Sequence, residues 1–185
     1  MRLRRLAVLA VAALALAACA HGSGAPSVSP KPDAPYTLDS GDRLRVVVFG
    51  QDGLSNSYAV DTAGRITMPL IGAVPARGKT PASLQQTIAD KLKQGFVREP
   101  HVAVEVETYR PFFILGEVTV PGQYAYVPNM TVETAVAIAG GFTPRALKQT
   151  IEISRAMDGV LERGVVPVTF PVRPGDTIVV AERWF

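Results

Sequence analysis

An unbroken apolar run at residues 6–18 leads straight into Cys19, and no second cysteine occurs anywhere in the chain. Arg2, Arg4 and Arg5 precede the run. Its 13 residues are too few to span a bilayer, which takes about 20, and they fit the apolar centre of a secretory signal. Export would put the rest of the chain in an oxidising compartment, but a lone thiol cannot close a disulfide within the chain. The fold must therefore be held by packing alone. The 167 residues from Cys19 onward can bury roughly 70% of their unfolded surface.

The signal also explains the basic charge. Without its three arginines, the remaining Lys and Arg of the 19 present equal the 16 Asp and Glu. A nucleic-acid partner needs a clustered basic surface, and none is visible.

The segment Leu16-Ala17-Ala18-Cys19 resembles the lipobox of bacterial lipoproteins. The resemblance implies that residues 1–18 are removed and that Cys19 is lipidated. Ala20 stands where Asp would favour inner-membrane retention, which implies outer-membrane sorting. Residues 20–35 hold four prolines, two glycines and three serines, a composition that builds no packed element. Residues 19–35 thus read as an acylated flexible tether, reaching about 20 Å as a coil and about 50 Å if polyproline-like.

Residues 36–109 form a first module. Asp39, Ser40 and Gly41 are turn formers, and the alternation of Leu44, Val46 and Val48 predicts a half-buried strand. Tyr58 and Val60 predict a second strand and residues 65–70 a third. The Thr62-Ala63-Gly64 turn between them makes these two a hairpin by spacing. Thr80-Pro81 starts a helix, with Leu84, Ile88, Leu92 and Phe96 recurring every four residues along one stripe. Pro100 ends it, and residues 101–109 alternate as a return strand.

Residues 110–185 form a second module. Residues 112–115 predict a buried strand ending at Gly116, and residues 123–127 a second, with Tyr124 and Tyr126 on one face. Thr131 caps a helix over 132–139 whose Glu133 suits the positive end of the dipole. Gly140-Gly141 ends it. Residues 151–156 and 177–181 read as closing strands, with turns at Asp158-Gly159 and at 174–176. The fold class is α+β: two small sheet-plus-helix modules, the second in ββαββ order.

Read together, the motifs resemble the bacterial polysaccharide export family, the Wza-type exporters. The first module carries Tyr36-x-Leu38-x-x-Gly41-Asp42-x-Leu44-x-Val46, then Gly64-x-Ile66-x-x-Pro69-Leu70-Ile71-Gly72-x-Val74, Gly78-x-Thr80 and Pro100-x-Val102-x-Val104. These are similar to the polysaccharide export domain. The second carries Gly116-x-Val118-x-x-Pro121-Gly122, Ala139-Gly140-Gly141-Phe142-Thr143 and Pro174-Gly175-Asp176-x-Ile178-x-Val180. These are similar to the soluble-ligand-binding β-grasp (SLBB) module. The resemblance implies a periplasmic ring of copies of this chain, anchored in the outer membrane, that exports capsular or exopolysaccharide. Larger members add β-grasp modules and a C-terminal pore helix. Here the last strand falls within five residues of Phe185, so the ring is expected and the pore is not. The implied partners are an inner-membrane copolymerase, often with a tyrosine-kinase part, the glycan, and a separate outer-membrane β-barrel.

Nothing in the pattern points to catalysis, a metal or a cofactor. His21 and His101 are isolated. Asp39 and Asp42 are spaced like an acid pair, but their Ser40-Gly41 setting makes them turn formers. Asp42 and Asp176, each after a glycine, are expected to hold their turns by side-chain-to-backbone bonds. Sugar faces stack on rings, which makes Tyr58, Tyr109, Phe112, Tyr124, Tyr126, Phe142 and Trp184 glycan candidates, with core packing the stronger expectation. Trp184 and Phe185 end the chain with two large apolar groups and are expected to dock on another subunit or partner. Two other readings stand beside export. One is a monomeric lipoprotein whose β-grasp module binds a small soluble ligand or glycan; the other, a glycan-cleaving enzyme, lacks a supporting motif.

Overall fold

The structure, a computed structural model, describes residues 35–157 and 160–184. Cys19, the signal, nearly all of the tether, the Asp158-Gly159 turn and Phe185 lie outside the described residues. The chain is mixed α+β, with two helices and three sheets among the described residues.

In the first half, strand β1 (Arg43–Val48) buries Leu44, Val46 and Val48 and leaves Arg43 and Arg45 outside, as period-2 alternation requires. It lies between β2 (Asn56–Ala59) and β5 (Val102–Thr108), both antiparallel to it. β3 (Arg65–Met68) and β4 (Gly72–Pro75) form a separate two-stranded ribbon. The expected hairpin of the second and third strands is therefore not formed. β2 turns back on β1, setting Tyr58 opposite Leu44, and β3 pairs with β4, setting Ile66 opposite Val74. The cause is a second turn hidden in Pro69-Leu70-Ile71-Gly72. Leu70 and Gly72 both take positive φ, 68° and 65°, which reverses the chain inside what reads as one apolar run.

Helix α1 (Pro81–Lys93) starts where Thr80 accepts the Ser83 N–H at 3.1 Å. Its Leu84, Ile88 and Leu92 are fully buried against the strands. Phe96 does not continue the stripe: the helix stops at Lys93, Gly95 turns at φ 118°, and the Phe96 ring is half exposed.

The second half is one five-stranded sheet in the order β7-β6-β10-β8-β9. Its strands are β6 (Phe112–Gly116), β7 (Gly122–Tyr124), β8 (Ala146–Met157), β9 (Val160–Val166) and β10 (Thr177–Glu182). β10 runs parallel to β6 and antiparallel to β8. Helix α2 (Val132–Ile138) is capped by Thr131 and ends in Gly140 and Gly141, both at positive φ. The Gly141 N–H returns to the Val136 carbonyl and the Gly140 N–H to Ala137, closing the last turn. Val132, Ala135, Val136 and Ala139 face Phe112, Ile114, Ile151, Ile153 and Ile178 in the second core. The order is ββαβββ, one strand more than expected. Glu162-Arg163-Gly164 breaks the apolar alternation of β9, and only pairing to β8, from Ile151 opposite Val166 to Met157 opposite Val160, reveals it as a strand.

Candidate functional site

The cleft between the two halves gathers the chemistry. It encloses about 800 Å³ and is walled by residues from both. It is lined by Tyr109 and Arg110, two of the three residues that separate β5 from β6.

Two turns of the same build flank it. In residues 39–42, Gly41 takes φ 93° and the Asp42 Oδ2 accepts the N–H of Asp39, three residues back, at 2.8 Å. In residues 173–176, Gly175 takes φ 86° and the Asp176 Oδ2 accepts the N–H of Arg173 at 2.7 Å. Both aspartates are wholly buried, so each needs compensating charge. Arg110 supplies it to Asp42, donating its backbone N–H to Oδ1 at 2.9 Å and its Nη1 to Oδ2 at 3.1 Å. The Tyr36 hydroxyl donates to Asp42 at 2.6 Å and accepts from Arg110 at 2.8 Å. Burial first, then the bond to Asp42, push the Tyr36 hydroxyl far above the ordinary tyrosine range, so it stays a phenol. Arg155 grips Asp176 with two parallel bonds, Nε to Oδ1 at 2.9 Å and Nη2 to Oδ2 at 2.8 Å. Its guanidinium lies over the Phe170 ring and also donates to the Pro171 carbonyl.

Two glycines let arginines lie flat on the walls. A Cβ at Gly64 would fall 2.5 Å from the Arg77 Cβ, and one at Gly175 would fall 2.8 Å from the Arg110 Nε. Arg77 donates Nε to Asp39 at 2.7 Å and Nη2 to Ser40 and the Thr62 carbonyl. Partial burial works to raise the Asp39 carboxyl. The Arg77 bond, the Ser40 N–H and the charges of Arg110 and Arg77 outweigh it and hold the group below the ordinary aspartate value. A depressed carboxyl contributes stability above the unfolded value of about 3.9 and loses it as pH falls through the folded value. Asp39→Asn is therefore expected to flatten the fall in stability below about pH 4, read from urea midpoints of both proteins across the acid range. An unchanged acid limb would show that the pair is screened away. Across the cleft, burial and then the nearby Arg155 charge lower the Arg173 guanidinium from its usual value, the direction expected where positive charge is crowded.

Three half-buried tyrosines complete the lining. Tyr36 meets Tyr109 edge-on at 5.0 Å between centroids, and Tyr109 meets Tyr126 edge-on at 5.4 Å. The rings cross from one core to the other, since Tyr36 leans on the first and Tyr126 on the second.

Of the aromatic glycan candidates, the structure brings Tyr109 and Tyr126 into the cleft. Phe112 is core, with Tyr124 stacked on it at 5.9 Å. Tyr58 caps the Leu54 carbonyl, and Phe142 carries the Lys148 ammonium. Trp184 stands 88% exposed beyond β10. His101 is exposed just before β5. Among the described residues no three His, Cys, Asp or Glu gather as metal ligands would, and no helix is long and apolar enough to cross a membrane.

Sequence reasoning missed the arginines. For Arg155 the signal was present: it shares the inward phase of β8 with Ile151 and Ile153, and an arginine on a buried strand face requires a buried carboxylate.

Comparison with known proteins gives this geometry a family. Residues 30–107 match the family model described as polysaccharide biosynthesis/export protein, and residues 111–166 match that of the SLBB domain. The chain is 36% identical over 118 residues to the exopolysaccharide production protein ExoF of Rhizobium meliloti, covering 57% of this chain and 28% of that one. It is 28% identical over 131 residues to the polysialic acid transport protein KpsD of Escherichia coli, covering 70% of this chain and 22% of that one. The matched stretch thus spans about a quarter of the length of these relatives. With an export domain and an SLBB domain in tandem, the chain belongs to the polysaccharide export protein family.

Proposed function

We propose that this protein exports a polysaccharide across a bacterial envelope, as a lipid-anchored outer-membrane component whose folded body stands in the periplasm. The observation that carries the reading is the tandem order of the two matched domains. The relatives' names, an exopolysaccharide production protein and a polysialic acid transport protein, support it. In this reading Cys19 holds the acyl chains and residues 19–35 space the body from the membrane. Several copies close a ring through heterologous contacts, with Trp184 and Phe185 as docking groups. The ring gives passage without covalent chemistry on the glycan. An inner-membrane copolymerase with a tyrosine-kinase part supplies the polymer, and a separate outer-membrane β-barrel completes the path.

The test is deletion of the gene in its own host, followed by quantification of high-molecular-mass glycan outside the cells. Loss of secreted polymer, restored by the wild-type gene and not by Cys19→Ser, is the expected result. Undiminished secretion in the deletion strain would end the export reading. The small-ligand alternative has its own support in the 800 Å³ cleft, whose size falls within the range of ligand sites.

A further inference from the structure

We propose that copies of this chain join through their second halves, with helix α2 of one copy seated on the open sheet face of the next. The proposal rests on the ring reading above and deepens it by naming the two faces that meet.

The sheet is the first argument. Its inner face holds Phe112, Ile114, Ile151, Ile153 and Ile178 against α2. The register fixes what lies on the other face. One row runs Leu115, Val179, Glu152, Val165 across β6, β10, β8 and β9, and the next runs Phe113, Thr177, Ser154, Arg163. Leu161, opposite Ala156, continues the face along β9. The large apolar side chains there stand in water, from 40% exposed at Phe113 to 65% at Val165. A sheet face that meets water is ordinarily polar. The first half follows that rule: the open face of β1 shows Arg43 and Arg45, with Glu105 opposite Arg45. The second half breaks it, and an exposed apolar patch of this kind marks a contact surface.

The helix is the second. α2 buries Val132, Ala135 and Val136 and turns Glu133, Thr134, Ala137 and Ile138 to solvent. Val120 lies at its end, donating its N–H to the Ala139 carbonyl. Val120 is 56% exposed and Ile138 45%. The outer face of α2 is therefore short and apolar towards its C-terminal end, with small Ala137 allowing close approach.

The match between the two is the third. A sheet bare on one face and a helix bare on its outer face are two parts of the layering in which helices cover a sheet on both sides. One chain supplies both, on opposite sides of the same slab. Each copy can cover its neighbour's sheet with α2 and offer its own sheet to the next. Sheet against sheet would leave every α2 bare and would stop at a dimer. Helix against sheet is a heterologous contact, which closes into a ring when each copy is turned by a fixed angle from the last. Charge does not oppose it. Glu152 and Arg163 offset each other on the sheet face, which leaves Glu133 alone on the helix face.

The test is sedimentation velocity on the full chain purified from membranes in detergent. The wild type is expected to run as an assembly larger than a dimer. Leu115→Lys/Val165→Lys spoils the sheet face and Ile138→Lys the helix face. Each should weaken association at least tenfold and run as a monomer where the wild type assembles. An equal mixture of the two variants should give a dimer and nothing larger, because one intact α2 then meets one intact sheet. Phe49→Lys, exposed on the first half, should change nothing. Thermal melts select the variants that remain folded, and Val165→Lys alone serves if the lysine pair does not. A monomeric wild type, wild-type assembly in either variant, or a mixture that stays monomeric would overturn the interface. A dimer of Ile138→Lys alone would overturn it too, since it would mean sheet meeting sheet. The deletion strain separates the two claims. Lost secretion with a chain that stays monomeric removes the interface and leaves the export reading, whereas normal secretion removes the export reading whatever the sedimentation gives.

Discussion

Asp42→Ala is expected to cost about 3–5 kcal/mol of unfolding free energy, because it strands a partly buried arginine and two donors that have no other acceptor at hand. The carboxylate is wholly buried and receives Tyr36, the Asp39 N–H and both the backbone and the side chain of Arg110. Arg110 belongs to the link between the two halves, and its side chain lies over Gly175 of the second. The loss should therefore also uncouple them. Each half has its own core, so urea unfolding of the variant should separate into two steps by tyrosine fluorescence and circular dichroism. A single transition at the wild-type midpoint would show that Asp42 is dispensable.

Asp176→Ala is expected to be as costly, again about 3–5 kcal/mol, but confined to the second half. The Arg155 and Asp176 side chains are 5% and 1% exposed, so neither charge can find water once the other is gone. The double change Arg155→Met/Asp176→Leu is the informative control. Replacing a buried pair by apolar groups of similar volume is often near neutral, so the double should recover most of what the single loses. If Asp176→Ala alone is harmless, the pair is not the clamp that its geometry implies. If the double is as damaged as the single, the Arg173 N–H, which loses its acceptor in both, and the Pro171 carbonyl, which loses its Arg155 donor in the double alone, matter more than the charges.

Much of this fold is written locally. Thr80 and Thr131 announce their helices, Leu84, Ile88 and Leu92 give the buried stripe, and the alternation of β1 needs no neighbour to be read. Pairing is another matter. The β3–β4 ribbon depends on Leu70 at positive φ, which an L-residue adopts only when the surroundings enforce it. The fifth strand is legible only across its ladder to β8. The cleft was the least visible part. Tyr36, Asp42 and Arg110 are separated by up to 74 residues, and each looks unremarkable in its own segment. The turn residues Asp42 and Asp176 were recognisable, but their burial was not, and burial is what obliges each to recruit an arginine.

The link between the halves has a mechanical corollary. β5 ends at Thr108 and β6 begins at Phe112, and three residues of extended backbone reach at most about 11 Å. Such a joint has no slack to absorb load. A pull on the first half would reach the far sheet as torque through Tyr109 and Arg110 and would not dissipate in a loose strap, so the two halves would turn as one stiff lever.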